Sequence, residues 1–306
     1  MGGPIFEFWG NVRVYINPDL FGTASFVVEH GEPTSTCFLV SFGGCYYGVT
    51  TKHSVENLDV AIRLNLKLGG SEDKRILAQD WIIHRDTDVA VVPLDFLFDE
   101  REKYAVEFIS DGDFKAYSDH YKWGDEFPAD YPHPMRFDAG DEVFSIGLFD
   151  RHHGGSRTRP VVRFGHVALV PGLNDRISAE IYPEPHHLIP IDAFLVEIAA
   201  WPGQSGSPVF LRPYVVNQER RTRRRPSSEK NFLIGMIQGF YPGEQDVQIN
   251  DVNAKLSLLN MGISIVVPAK DIRGLLMRPD VKSRRDDIVR ERYERMLRTS
   301  AASDST

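Results

Sequence analysis

Residues 36–50 read Thr-Cys-Phe-Leu-Val-Ser-Phe-Gly-Gly-Cys-Tyr-Tyr-Gly-Val-Thr. Two apolar, aromatic-rich runs, 36–42 and 45–50, flank Gly43-Gly44, a step that supplies the positive φ a tight hairpin needs. The stretch predicts an antiparallel hairpin, and short runs bounded by turn residues recur along most of the chain. Upstream, 23–29 leads into Gly31-Glu32-Pro33; downstream, 60–66, 81–83 and 89–93 read as strands. A second series follows at 142–148, 161–170, 193–199, 208–211, 232–238 and 261–267. No long helical segment separates these runs, so the rhythm is all-β and not βαβ. Between the two series, 95–138 is rich in Asp, Tyr, Phe and Pro, and reads as an irregular connection with a short helix near 100–108. Two strand clusters and one long linker predict two β-barrels or sandwiches.

The 306 residues suffice for one large domain or two ordinary ones, and 42% apolar with 25% charged content excludes collagen-like, disordered and coiled-coil readings for the bulk of the chain. Nineteen Phe and eleven Tyr provide core area without disulfides or a structural metal. With 35 Lys and Arg against 43 Asp and Glu, the net charge of −8 makes the chain a poor candidate for phosphate-backbone binding. No run approaches the ~18 apolar residues of a membrane span. Residues 1–10 lack the basic start and apolar stretch of a secretory signal, and Ile5 and Phe6 stand where a myristoylation motif has Ser or Thr. Cys37 and Cys45 read as free thiols. The expected compartment is the cytoplasm, although a mature secreted chain with its signal removed has the same look.

A polar loop, 212–230, carries Arg220, Arg221, Arg223, Arg224 and Arg225, and reads as a solvated hairpin tip or a local anion site. Residues 269–277 read as helical. From 280 to 297, Val281, Ile288, Val289, Tyr293, Met296 and Leu297 recur on a sparse helical period among mixed charges, which predicts a docked surface helix. The tail from Thr299 is expected to be disordered.

Three motifs carry chemistry. In Pro202-Gly203-Gln204-Ser205-Gly206-Ser207-Pro208 a serine lies between glycines, so a tight turn can expose its hydroxyl and gather backbone N–H groups around one point. A nucleophile attacking a carbonyl needs such donors, because negative charge develops on the substrate oxygen. In Val49-Thr50-Thr51-Lys52-His53-Ser54-Val55 a histidine follows an apolar strand into a turn, from which its ring can face a cleft; alone, a surface or core histidine is the commoner reading. In Asp86-Thr87-Asp88-Val89-Ala90-Val91-Val92 an aspartate opens a buried strand and can hold an imidazole in one tautomer, or simply cap the strand end.

In the order His, Asp, Ser, and with these flanks, the three motifs resemble the trypsin-like (chymotrypsin-fold) serine peptidase family. Residues 36–53 resemble its strand–hairpin–"TAAH" block and Asp88-Val89-Ala90-Val91-Val92 its "DIAVL" strand. Gly140-Asp141-Glu142-Val143-Phe144-Ser145-Ile146-Gly147 is similar to the start of the second barrel in bacterial HtrA-like members, and Gly203-Gln204-Ser205-Gly206-Ser207-Pro208 to the "GNSGSP" of glutamyl-endopeptidase relatives. Residues 233–237 and 262–268 resemble the last two strands, and the likeness spans roughly 23–276. It implies an all-β chain of two six-stranded antiparallel β-barrels packed face to face, divided as 1–138 and 139–276, with a C-terminal helix and tail over 277–306. It also implies Ser205 as nucleophile, His53 as general base and acid, Asp88 as its orienting partner in preference to Asp86, and the N–H groups of Gly203 and Ser205 as the oxyanion hole.

By the same resemblance Ala199, Ile237, Gln238 and Gly239 are substrate-binding positions. Ala199 and Ile237 stand where relatives set the first specificity pocket, and neither brings charge, so an uncharged small or apolar residue is expected before the cut. Gln238-Gly239-Phe240 replaces a Ser-Trp-Gly-like edge where substrate backbone adds as a strand. No cofactor and no metal are implied, and the pairs His152, His153 and His186, His187 lack ligand spacing. No Arg before Ile-Val-Gly-Gly marks an activation cut, and no PDZ-like segment follows the barrels. The expected function is a regulated intracellular serine endopeptidase with a polypeptide substrate and a regulatory protein partner. The alternative is a catalytically silent trypsin-like fold that binds peptides or proteins.

Overall fold

The computed structural model describes residues 16–111, 137–171, 175–180, 188–212, 215–217, 222–224, 232–249 and 252–303. His186, His187, Arg220, Arg221, Arg225 and the 112–136 part of the long connection lie outside the described residues. The first strand series forms β1 (Ala24–Glu29), β2 (Glu32–Phe42), β3 (Cys45–Thr50), β4 (Val60–Asn65), β5 (Ser71–Ile76), β6 (Ile82–Ile83), β7 (Ala90–Pro93) and β8 (Ile109–Ser110). They join in one sheet in the order β5-β4-β1-β2-β3-β7-β6, with β8 parallel to the end of β2. The second series forms β9 (Glu142–Gly147), β10 (Val161–Leu169), β11 (Ile177–Glu180), β12 (Leu188–Ile191), β13 (Phe194–Glu197), β14 (Pro208–Leu211), β15 (Val215–Asn217), β16 (Thr222–Arg224), β17 (Phe232–Ile249) and β18 (Val252–Pro268). Here β10-β13-β18-β17-β14-β9 close a six-stranded barrel, while β11-β12 and β15-β16 stand apart as hairpins.

The all-β architecture of two packed units and a C-terminal helix holds, with one difference. Among the described residues the first sheet curls around its core without closing. Its end strands are the reason: β6 is two residues long, and β5, Ser-Glu-Asp-Lys-Arg-Ile, is a charged edge that has one buried residue, Ile76. The segment after β7 instead lays Leu94, Leu97, Tyr104 and Val106 into that core, and the Tyr104 hydroxyl donates to Glu72 of β5 at 2.7 Å. The short helical piece of the connection lies at Leu97–Glu100, continued by a turn at Arg101–Lys103.

The unalternating runs 36–42 and 89–93 have a direct cause: both faces of β2 and β7 are buried. Cys37, Leu39, Ala90 and Val92 face the core of the first sheet, whereas Phe38, Val40, Phe42 and Val91 face a second cluster. That second cluster is the seam of the molecule, since Phe144, Ile146, Phe210, Leu233 and Met236 of the barrel's outer face enter it from the other side. The intervening positions Val143, Val209, Leu211, Ile234 and Ile237 fill the barrel interior. Side chains alternating across each strand thus build two cores from one wall.

The short helix Ala269–Leu276 seals one side of the seam with Ala269, Ile272, Leu275 and Leu276. The C-terminal helix runs Pro279–Ser303, past Thr299 where order was expected to end. β17 and β18 also extend well beyond 238 and start well before 261, so a long two-stranded arm leaves the barrel wall.

Candidate active site

β3 ends at Thr50 and the chain turns through Lys52–Ser54, which lifts His53 off the sheet. Thr50 pairs with Ala90 of the neighbouring β7, so the residues just past β3 and just before β7 meet at the same sheet end. There Asp88 holds His53 twice. Its Oδ1 accepts the His53 backbone N–H at 2.9 Å, and its Oδ2 lies 2.6 Å from the ring Nδ1. A carboxylate oxygen only accepts, so Nδ1 carries the proton and Nε2 is the ring's basic nitrogen. Asp86, two residues earlier, is exposed, and its backbone N–H is directed to His84 instead.

Ser205 lies on the connection between β13 and β14. Gly203 and Gly206 bracket it in the left-handed region, with φ of 90° and 87°. A Cβ on Gly206 would stand 1.9 Å from the Thr36 carbonyl oxygen, so no side chain fits there. Within the turn the backbone groups are taken in order. The Gln204 N–H donates to the Trp201 carbonyl (3.0 Å), Gly206 N–H to Ile237 (2.8 Å) and Ser207 N–H to Gln204 (2.9 Å). The N–H groups of Gly203 and Ser205 have no backbone acceptor among the described residues. The Ser205 hydroxyl donates to the Gln238 carbonyl at 3.0 Å.

The two halves of the site are joined by a residue that the motifs do not contain. Thr36 of β2 donates its backbone N–H to the Ser205 carbonyl (2.9 Å) and its hydroxyl to the Gly203 carbonyl (3.0 Å). The same hydroxyl accepts from Leu148 N–H (2.8 Å) and from the Ser207 hydroxyl (3.1 Å). Its carbonyl takes the Thr50 hydroxyl at 2.7 Å. Thr50 leads into His53, so one threonine ties the serine turn to the histidine strand. The available signal was a pair of Thr residues, 36 and 50, at strand positions that the hydrophobic pattern would bury.

Of the other positions singled out, Ala199 is exposed beside Trp201, itself 50% exposed. Ile237 turns its side chain into the barrel core, so it offers the turn its backbone: besides accepting from Gly206 it donates to the Ser207 carbonyl at 2.9 Å. Gln238 is nearly buried and Gly239 is partly exposed. Cys37, next to Thr36, has its thiol pushed up to about 12 by burial, which keeps it protonated near neutral pH. No three metal-ligating side chains converge among the described residues.

No protein-family model and no curated protein matches the chain. Solved structures do. It is similar to an HtrA-type protease, AlgW with tripeptide, at 13% identity over 85% of this chain and 62% of that one, with a TM-score of 0.41. It is similar to the Rv3671c protease from M. tuberculosis in its active form, at 14% identity over 84% and 80% of the two chains, with a TM-score of 0.41. Human heparin binding protein is matched at 10% identity over 86% and 94%, with a TM-score of 0.44. The chain thus spans less than two thirds of the length of the HtrA-type protease.

Proposed function

We propose that this protein is a serine endopeptidase that hydrolyses polypeptide bonds through an acyl-enzyme on Ser205. The observation that carries the reading is the double grip of Asp88 on His53, at 2.9 and 2.6 Å, on the same strand system that braces the Ser205 turn through Thr36. That grip gives the ring one tautomer and one orientation, and stabilises the positive charge it acquires on taking a proton.

In the proposed reaction the Ser205 hydroxyl swings from the Gln238 carbonyl to His53 Nε2, since one proton cannot serve both acceptors. Ser205 Oγ then attacks the substrate carbonyl and His53 takes the proton. The N–H groups of Gly203 and Ser205, which have no backbone acceptor among the described residues, receive the developing oxyanion. Collapse breaks the peptide bond as His53 returns the proton to the leaving nitrogen, and a water activated by the same ring releases the acyl group. Ala199 and Trp201 present an uncharged rim beside the turn, which supports a preference for a small or apolar residue before the cut.

The test is labelling with a fluorophosphonate probe. Wild type is expected to label at one site, Ser205→Ala and His53→Ala not at all, and Asp88→Asn slower by about 10⁴-fold. Folded wild type that never labels would overturn the reading in favour of the silent binding fold.

A further inference from the structure

We propose that His84 is a positioning residue for Asp88, and that protonation of its ring releases the turn that aims Asp88, so that acid silences the site by a second route besides His53; the inference rests on the peptidase reading above. β6 ends at Ile83 and β7 begins at Ala90, so the chain reverses through residues 84–89 with Asp88 near the end of the reversal. The His84 N–H closes it on the Val89 carbonyl at 2.8 Å. The His84 side chain then fills it from inside. Its Nδ1 accepts the Asp86 N–H at 3.2 Å and the Thr87 N–H at 3.0 Å. The Thr87 carbonyl in turn takes the Val89 N–H at 2.9 Å. Asp88 sits between Thr87 and Val89, and from there holds both the ring and the backbone N–H of His53.

An imidazole nitrogen that accepts two N–H donors carries no proton, so the His84 ring is neutral, with its proton on Nε2. A second proton must go to Nδ1, where it faces both amides and ends both bonds. The surroundings favour the neutral ring. Burial pushes its pKa below the ordinary histidine value; Asp86 on the turn opposes this, while Arg278 and Lys52 add to it from neighbouring elements. Arg278, between the short helix and the C-terminal helix, donates to the Ile83 carbonyl at 3.2 Å and pairs with Asp280. Lys52 precedes His53 and pairs with Glu56. The two bonds are therefore complete above the ring's ordinary pKa and are lost as pH falls through its lower, folded value. What the proton changes is the place of Asp88, and through it the orientation of His53.

The test follows the rate of fluorophosphonate labelling from pH 8 to pH 5 in wild type, His84→Asn and His84→Gln. Asn carries an oxygen on Cγ where His carries Nδ1, so it can accept the same two N–H groups and has no proton to gain, whereas Gln carries its amide one bond farther out. At pH 8 the Asn form is expected to label as fast as wild type, and the Gln form at least about fivefold slower, the equivalent of one hydrogen bond. Toward pH 5 the ratio of the Asn form to wild type is expected to rise at least about threefold; His53 titrates in both and cancels in the ratio. A ratio that stays level, a Gln form as fast as wild type at pH 8, or an Asn form as slow as the Gln form would overturn the inference. The turn is also read without labelling, by nuclear magnetic resonance of the Ser205→Ala protein. There the amide shifts of Asp86 and Thr87 are expected to move between pH 8 and pH 5, and to stay in place once His84→Asn is added. Moving amides in a protein whose wild type never labels keep the His84 turn and remove the peptidase; labelling with amides that stay in place does the reverse.

Discussion

Replacing Thr36 by Val keeps the shape of the side chain and removes one hydroxyl. The Gly203 carbonyl, Leu148 N–H and Ser207 hydroxyl then lose a buried partner together. Each buried group left unpaired costs about 1–3 kcal/mol, so the loss of stability in urea should be at least about 2 kcal/mol. Probe labelling should slow as well, because the Gly203 peptide is no longer held from β2. A second residue sets a pH dependence. Asp271 of the short helix is partly buried, and its Oδ2 is enclosed with no partner among the described residues. Burial raises its pKa from 3.8 to about 7, with Lys270 opposing and Asp192 adding. Between pH 4 and 7 the folded chain therefore retains a proton that the unfolded chain has lost, so this group makes stability fall as pH rises through that window and stay level above it. Asp271→Asn should match wild type in melting temperature near pH 4 and exceed it at pH 8.

At the scale of elements, the C-terminal helix docks by its arginines more than by its apolar residues. Val281 and Ile288 reach the seam, but Val289, Tyr293 and Leu297 are exposed. Arg285 is buried, stacks 5.2 Å from the Phe42 ring and donates to the Leu276 carbonyl at 2.9 Å. Arg292 stacks 3.5 Å from the Phe98 ring and donates to the Gly44 carbonyl at 3.3 Å. A planar guanidinium can stack and donate at once, which an ammonium cannot. At Gly43 a Cβ would come within 2.7 Å of Arg285 Nε, so the hairpin tip is shaped to receive the helix. Ending the chain after residue 278 should lower stability and expose Cys45, now 1% exposed, to a thiol reagent such as Ellman's. Labelling of Ser205 in the molecules that remain folded should persist, because the helix grips the hairpin at the end away from Thr50. The charged strand β5 was missed by periodicity because an edge strand facing water shows no apolar alternation, and its ion pairs, Arg63 with Asp73 and Lys74 with Glu100, are tertiary.

At the scale of the molecule, the seam makes the two β units one body. Phe144 of the barrel is fully buried, lies 5.2 Å from Phe210, and shares its cluster with Phe38 and Val49 of the first sheet. Phe144→Ala should cost about 3–5 kcal/mol, and loss of near-ultraviolet dichroism and of probe labelling should coincide in denaturant, because neither unit keeps its half of the site without the other. What the sequence determined by itself was local: the β rhythm, the Gly43-Gly44 hairpin, and the short motifs around His53, Asp88 and Ser205. Turn chemistry, side-chain alternation and reactive groups are written within a few residues of one another. Tertiary structure alone decided that β2 is buried on both faces, that the first sheet does not close among the described residues, that Ile237 serves through its backbone, and that Thr36 joins strands to a turn more than 160 residues away. Those outcomes depend on which surfaces meet after the chain has folded, and hydrogen bonds made across such separations leave no period in the sequence.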